Sequence, residues 1–207
     1  MRLCILILSL LLPVFHVQAN ERDVTDGGTD CFLDRQQPAF TLSPVIDRTV
    51  YSLVLNRNNL YLVISKRNKT LYVFEKRCTG TSIIAAYPIC LGANMGDKKR
   101  PGDKRTPESK NNIPFTICEI TNSSKWCHNF GDGRGLIPAY GQWFMRLHGD
   151  YPGSGIGIHG STGNTYSIPG RGSEGCIRLR DEDIIHLKEN YAFVGMKVYI
   201  GRDVETE

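Results

Sequence analysis

The 207 residues carry 25 Lys and Arg against 21 Asp and Glu, a formal charge of +4 at neutral pH, with 41% hydrophobic residues. This length supports one domain with a real core, and so small and interspersed a charge excludes the dense basic surface that nucleic-acid binding requires.

Reading from the N-terminus, Arg2 precedes an almost uninterrupted apolar run from Leu3 to Val14, and Val17-Gln18-Ala19 supplies small residues for cleavage. Those are the parts of a secretory signal peptide. The run is too short for a spanning helix, which needs about 20 apolar residues. We therefore expect a signal peptide over 1–19, an exported chain in the periplasm or associated with the cell wall, and no stable membrane span after cleavage. Residues 20–50 are polar and rich in Asp, Gly, Thr and Pro, as in an arm or linker.

From Tyr51 onward, short runs of Val, Ile, Leu, Tyr and Phe alternate with Gly, Asn and Pro clusters, which predicts a mainly β domain over 51–201 with a tail at 202–207. Lys98, Lys99, Arg100, Lys104 and Arg105 form a basic cluster, read as a solvated loop or as an attractor for carboxylates. Ile156 to Gly160 alternates apolar and small residues like a strand end. Ser161 to Gly172 has the composition of a surface loop folding back over it. Asp181 to Tyr191 predicts the one helix, with three acidic residues at its positive end and Ile184, Ile185 and Leu187 at core-facing spacings.

The chemistry concentrates near residue 170. His159-Gly160 is followed by Ser173-Glu174-Gly175-Cys176-Ile177-Arg178. A thiol attacks a carbonyl as thiolate, and free cysteine has a pKa of about 8.5, so an imidazole that takes its proton makes it a nucleophile near neutral pH. Gly175 leaves room beside the thiol for a carbonyl and a polarising N–H. Arg178 has two open readings, a charge-assisted fork for a substrate carboxylate or an ion pair with Asp181 or Asp183. His148, at the end of a strand-like run, is a rival base, a substrate contact or a rim residue. His186 reads as a packing residue of the helix.

Six of the seven cysteines lie beyond the leader. With Cys176 free, an odd number remains, so Cys31, Cys78, Cys90, Cys118 and Cys127 cannot all pair within one chain. Cys118 and Cys127 are placed to staple a loop. A zinc site from Cys118, Cys127 and His128 lacks the paired ligand spacing of structural zinc, so no metal or other cofactor is expected.

At His159-Gly160 and Ser173 to Arg178 the chain resembles the L,D-transpeptidase family, or YkuD domain. Its signature is a His-Gly, a loop, then Ser/Thr-His-Gly-Cys, an apolar residue and Arg or Asn. Glu174 stands where most members have a second histidine. The likeness extends to Leu60–Ser65 and Thr70–Glu75 as the opening hairpin, Tyr87–Gly92 as the next strand, and Pro101 to Pro107 as the Gly-x-x-x-Thr-Pro segment. Glu108-Ser109-Lys110 replaces a glycine usual there. Gln142 to Leu147 and Val194 to Ile200 resemble later strands.

The resemblance implies a β-sandwich-like catalytic domain with one short C-terminal helix and long active-site loops. It implies that His159 is the proton acceptor and Cys176 the nucleophile; the residues around them offer backbone donors at Gly175, Cys176 or Gly160 and substrate contacts among Arg178, Ser173, Glu174 and His148. The activity implied is acylation of Cys176 by a peptidoglycan stem peptide, release of the terminal D-amino acid and transfer to an amine. The alternatives are a hydrolytic relative, in which water resolves the thioester, and a non-catalytic wall-binding module. Glu174 is expected to disfavour the thiolate if ionised and close, or to hold His159 or a substrate amine.

Overall fold

The computed structural model describes residues 56–203. The leader expected over 1–19, the arm over 20–50, Cys31 and the last four residues of the tail lie outside the described residues.

Strand β1 (Leu60–Ser65) buries every second residue, Leu62 and Ile64 completely, as a strand with one face on the core requires. It turns through Lys66 to Lys69 into β2 (Thr70–Arg77), with Ser65 paired to Thr70 as expected for that hairpin. Strand β3 (Gly80–Pro88) then pairs antiparallel with β2 through a register shift at Val73/Phe74. The expected strand over Tyr87–Gly92 is in fact the end of β3 and a separate β4 (Cys90–Gly92), broken after Pro88, which has no N–H for a ladder. Strand β5 (Phe115–Asn122) was not apparent from the sequence. A register shift between Ile117 and Glu119 breaks its alternation, so neither face reads as continuously apolar.

Strands β6 (Cys127–Asn129) and β7 (Leu136–Pro138) pair as a separate two-stranded hairpin. Then come β8 (Trp143–His148), β9 (Gly157–His159), β10 (Gly170–Ser173), β11 (Ile177–Arg178), the helix α1 (Asp181–Asn190) and β12 (Lys197–Ile200). The Ser161 to Gly172 segment is more ordered than its composition suggests. It contains a 3-10 turn at Thr165–Ser167, and its end enters β10, which joins the sheet edge beside β4.

Ten strands form one sheet in the order β10-β4-β11-β9-β8-β5-β12-β1-β2-β3. Leu71 of β2 and Ile177 of β11, far apart in that order, belong to one core with Ile184 and Leu187 of α1. The sheet therefore curls over itself around a shared interior, and the expected mainly β, sandwich-like fold with one short helix describes it. Among the described residues, no helix is long and apolar enough to cross a membrane.

Candidate active site

Strand β9 lies between β8 and β11, and its three residues Gly157, Ile158 and His159 are all buried. His159 is only 3% exposed. Its ring stacks on Phe144 of β8 at 5.5 Å and packs against Tyr140 at 4.9 Å between centroids. Nδ1 lies 2.6 Å from the Gly160 carbonyl oxygen. A carbonyl only accepts, so the proton of the neutral ring sits on Nδ1 and the lone pair on Nε2.

Close backbone packing fixes that arrangement. The Gly160 N–H donates to Tyr140 O at 2.8 Å. A Cβ on Gly160 would meet Gly141 Cα at 2.7 Å and also collide with Asp181 Oδ1. Asp181, at the start of α1, accepts from Ser161 N at 2.8 Å and from the Thr162 hydroxyl. The helix N-terminus is thereby tied to the segment leaving His159. This corrects the expectation for Gly160, whose N–H is already used and is not free for an oxyanion.

Cys176 immediately precedes β11, which runs parallel to β9 with Ile177 opposite Ile158 and Arg178 opposite His159. Seventeen positions of sequence separation thus become neighbouring strands. The turn before the thiol is built by two buried hydroxyls. Ser173 Oγ donates to Cys176 O at 2.6 Å and accepts from Gly175 N at 3.1 Å. Thr106 Oγ1 donates to Gly175 O at 2.9 Å and accepts from Gly92 N at 2.9 Å. Gly175 has φ +129°, and a Cβ there would lie 2.8 Å from Arg105 O. Only glycine fits that position. Ser173 was expected among substrate contacts; it is 1% exposed and its hydroxyl is committed to the turn. The Cys176 N–H has no backbone hydrogen bond among the described residues.

The thiol donates to Gly155 O at 3.4 Å. Desolvation pushes its pKa up, although the residue keeps some exposure through the cavity. The Gly157 N–H, Arg178 and Lys98 pull it down, Glu174 pushes it up, and the balance is upward. Burial, with the Arg178 cation beside it, pushes the His159 pKa down to about 3, against the opposing hydrogen bond to Gly160. The resting pair is consequently a neutral thiol and a neutral imidazole, not an ion pair.

Arg178 is 5% exposed, its guanidinium lies 5.2 Å over the Phe130 ring, and Nε has no hydrogen-bond partner. Among the described residues it makes no ion pair, so the expected bridge to Asp181 or Asp183 does not form. Glu174 does not hold His159; its carboxylate pairs with His128 Nε2 of β6 at 3.2 Å. His148 is exposed at the end of β8, opposite Thr116, and is not among the residues lining the cavity at Cys176.

That cavity has a volume of about 700 Å³. The β6–β7 hairpin brings Trp126 and Cys127 to one side, and the loop carrying Lys98 and Lys104 forms another. The basic cluster is thus not simply solvated. Asp103 organises its loop, binding Lys98 Nζ at 2.9 Å and the N–H groups of Lys99, Arg100 and Arg105. Burial raises the Asp103 pKa, but these donors together outweigh it and hold the carboxyl well below the usual range.

Lys66 anchors the loop from behind. Its fully buried ammonium donates to Gly96 O, Thr106 O and Glu108 Oε1 at 2.8, 2.9 and 2.7 Å, and pairs with Asp203 at 3.2 Å. Asp203 also binds Arg171. Glu108, the departure from the expected glycine, therefore serves a buried lysine.

The sequence reading did not single out His128 for this site, nor Tyr140, Phe144 or Lys66, and it gave Asp181 a different partner; none sits in a motif with the cysteine. The described cysteines are all free, so Cys118 and Cys127 form no staple, and no cluster of metal-binding side chains occurs among the described residues.

The family model described as the L,D-transpeptidase catalytic domain, YkuD, matches residues 59–200. A probable L,D-transpeptidase ErfK/SrfK of Salmonella typhimurium is 28% identical over 140 residues, covering 67% of this chain and 43% of that protein. The chain thus spans less than half the length of that relative. Among solved structures, an L,D-transpeptidase from Mycobacterium smegmatis aligns with a TM-score of 0.49 at 15% identity, over 69% of this chain and 58% of the other. The helical cell shape determining protein Pgp2 from Campylobacter jejuni aligns with a TM-score of 0.47 at 21% identity, over 77% and 56%. With the family model spanning most of its length, this chain belongs to the L,D-transpeptidase catalytic-domain family.

Proposed function

We propose that the chain is an exported L,D-transpeptidase that uses Cys176 as nucleophile and His159 as general base on peptidoglycan stem peptides. The observation that carries this reading is the adjacency of β9 and β11 beside a cavity, with the His159 proton held on Nδ1 and the lone pair left on Nε2. Because the resting pair is neutral, the thiol gives its proton to Nε2 as the sulfur attacks the stem-peptide carbonyl. The free Cys176 N–H is the backbone donor best placed for the developing oxyanion. The terminal D-amino acid leaves with the proton from the imidazolium, and an amine resolves the thioester. Arg178, buried and absent from the cavity lining, acts through its charge, keeping the His159 ring neutral so that Nε2 is free to take the thiol proton.

A hydrolytic outcome is the second reading. The observation favouring it is Glu174, a carboxylate that lines the cavity with Cys176 and is 54% exposed, where it can accept a hydrogen bond from an attacking water. Incubating the purified protein with a stem tetrapeptide separates the two. Cross-linked dimers support transfer, tripeptide alone supports hydrolysis, and unchanged product formation by Cys176→Ala would overturn both.

A further inference from the structure

Among the described residues, four charged ones line the cavity, three of them basic. Lys98 and Lys104 approach from the loop stabilised by Asp103, and Arg146 from β8. Glu174 is the only carboxylate among the described residues that line it. Its backbone lies two residues before Cys176, and its side chain is half exposed while bonded to His128. The His128 ring is itself held by edge contacts to Phe130 at 4.6 Å and Tyr140 at 6.3 Å. The carboxylate is thus oriented by a fixed neighbour, with one side left open to solvent. Two residues from the thiol, a carboxylate has a cost, since Glu174 works against thiolate formation. A positively charged partner arriving at the cavity would relieve it.

Resting on the acyl-transfer reading above, we propose that Glu174, oriented by His128, is the subsite for the acceptor amine, which it binds as an ammonium and so selects over water. Lys104, which lines the same cavity and makes no ion pair among the described residues, attracts the carboxylates of the stem peptide. In the transfer step the acceptor arrives as R–NH3+ and loses one proton to the Glu174–His128 pair. Its nitrogen lone pair forms the new C–N bond to the thioester carbonyl as the C–S bond breaks. The second nitrogen proton passes through His159 to the departing Cys176 sulfur. One amide, one thiol and one released proton result. Neutralising Glu174 in the complex also lifts its opposition to the negative charge that builds on the departing sulfur before it is protonated.

The test uses the full chain with a stem tetrapeptide as donor, and two acceptors supplied separately. One is a diamino-acid side-chain amine, cationic at neutral pH; the other is hydroxylamine, which is uncharged there. Glu174→Gln, which keeps the shape, should raise the apparent KM for the cationic acceptor about tenfold or more, the size expected for a lost charge-assisted hydrogen bond. The dimer to tripeptide ratio should fall in parallel, while transfer to hydroxylamine relative to hydrolysis should not. Glu174→Asp should recover part of the loss, and Lys104→Met should raise the donor KM instead. Equal effects of Glu174→Gln on both acceptors, or none on either, would overturn the subsite. Wild-type protein that forms the thioester on Cys176 but yields only tripeptide would overturn it as well. Absence of any thioester in the wild type would instead sink the acyl-transfer reading on which it rests.

Discussion

Arg178 and His159 are register partners across the parallel strands β9 and β11, so a buried guanidinium stands beside a buried imidazole. Arg178 lowers the pKa of both His159 and Cys176, while Glu174 raises that of Cys176. Substituting the two charges should therefore move thiol reactivity in opposite directions. The pH profile of Cys176 alkylation by iodoacetamide is expected to shift to higher pH in Arg178→Met and to lower pH in Glu174→Gln. Shifts of the same sign would contradict this electrostatic assignment.

The depressed His159 pKa carries a stability consequence. In the unfolded chain the ring takes up a proton near pH 6.5, whereas in the folded protein it resists until about pH 3. Between those values the unfolded state binds more protons, so this residue's contribution is complete above pH 6.5 and declines as pH falls. His159→Gln should flatten the fall in Tm from pH 6.5 to 3 relative to wild type, measured by thermal denaturation at each pH. An equally steep fall would show that other groups dominate.

Thr106 joins Gly92 to Gly175 through a single hydroxyl. Thr106→Val keeps the shape but leaves a buried N–H and a buried carbonyl unpaired, at a cost of about 1–3 kcal/mol. Because Gly175 precedes Cys176, the same change should slow acylation of the cysteine by more than it alters substrate KM. Thr106→Ser should restore both. Urea denaturation and single-turnover acylation measure the two effects.

Lys66 pairs with two largely buried carboxylates, Glu108 at 12% and Asp203 at 2% exposure, the second shared with Arg171. Removing one partner of a buried ion pair costs about 3–5 kcal/mol, because the remaining charges stay buried. Lys66→Met is expected to destabilise by that order in chemical denaturation. A second change, Glu108→Gln, should recover part of the loss by removing one of the stranded charges.

Much of this architecture is legible in the chain itself. The β1–β2 hairpin, β8, β12 and α1 follow from alternation and from apolar spacing, which depend on near neighbours along the chain. Strand β5 is hidden because its register shift changes which face is apolar partway along. Strand β10 is hidden because Gly170 and Gly172 have no side chains with which to mark a face. Its pairing to β4 comes from backbone hydrogen bonds, with the Arg171 guanidinium donating to Gly92 O at 3.0 Å.

For the site, sequence supplied the chemical types and order of His159, Gly175, Cys176 and Arg178. Tertiary structure decided how they are held. The pairing of Glu174 with His128, the commitment of the Gly160 N–H to Tyr140, the solitary burial of Arg178 and the anchoring of the cavity loop by Lys66 join residues far apart in sequence. Such contacts depend on which strands become neighbours and how the sheet curls. Local propensity determines the strands, but only packing of the whole core determines which charge meets which.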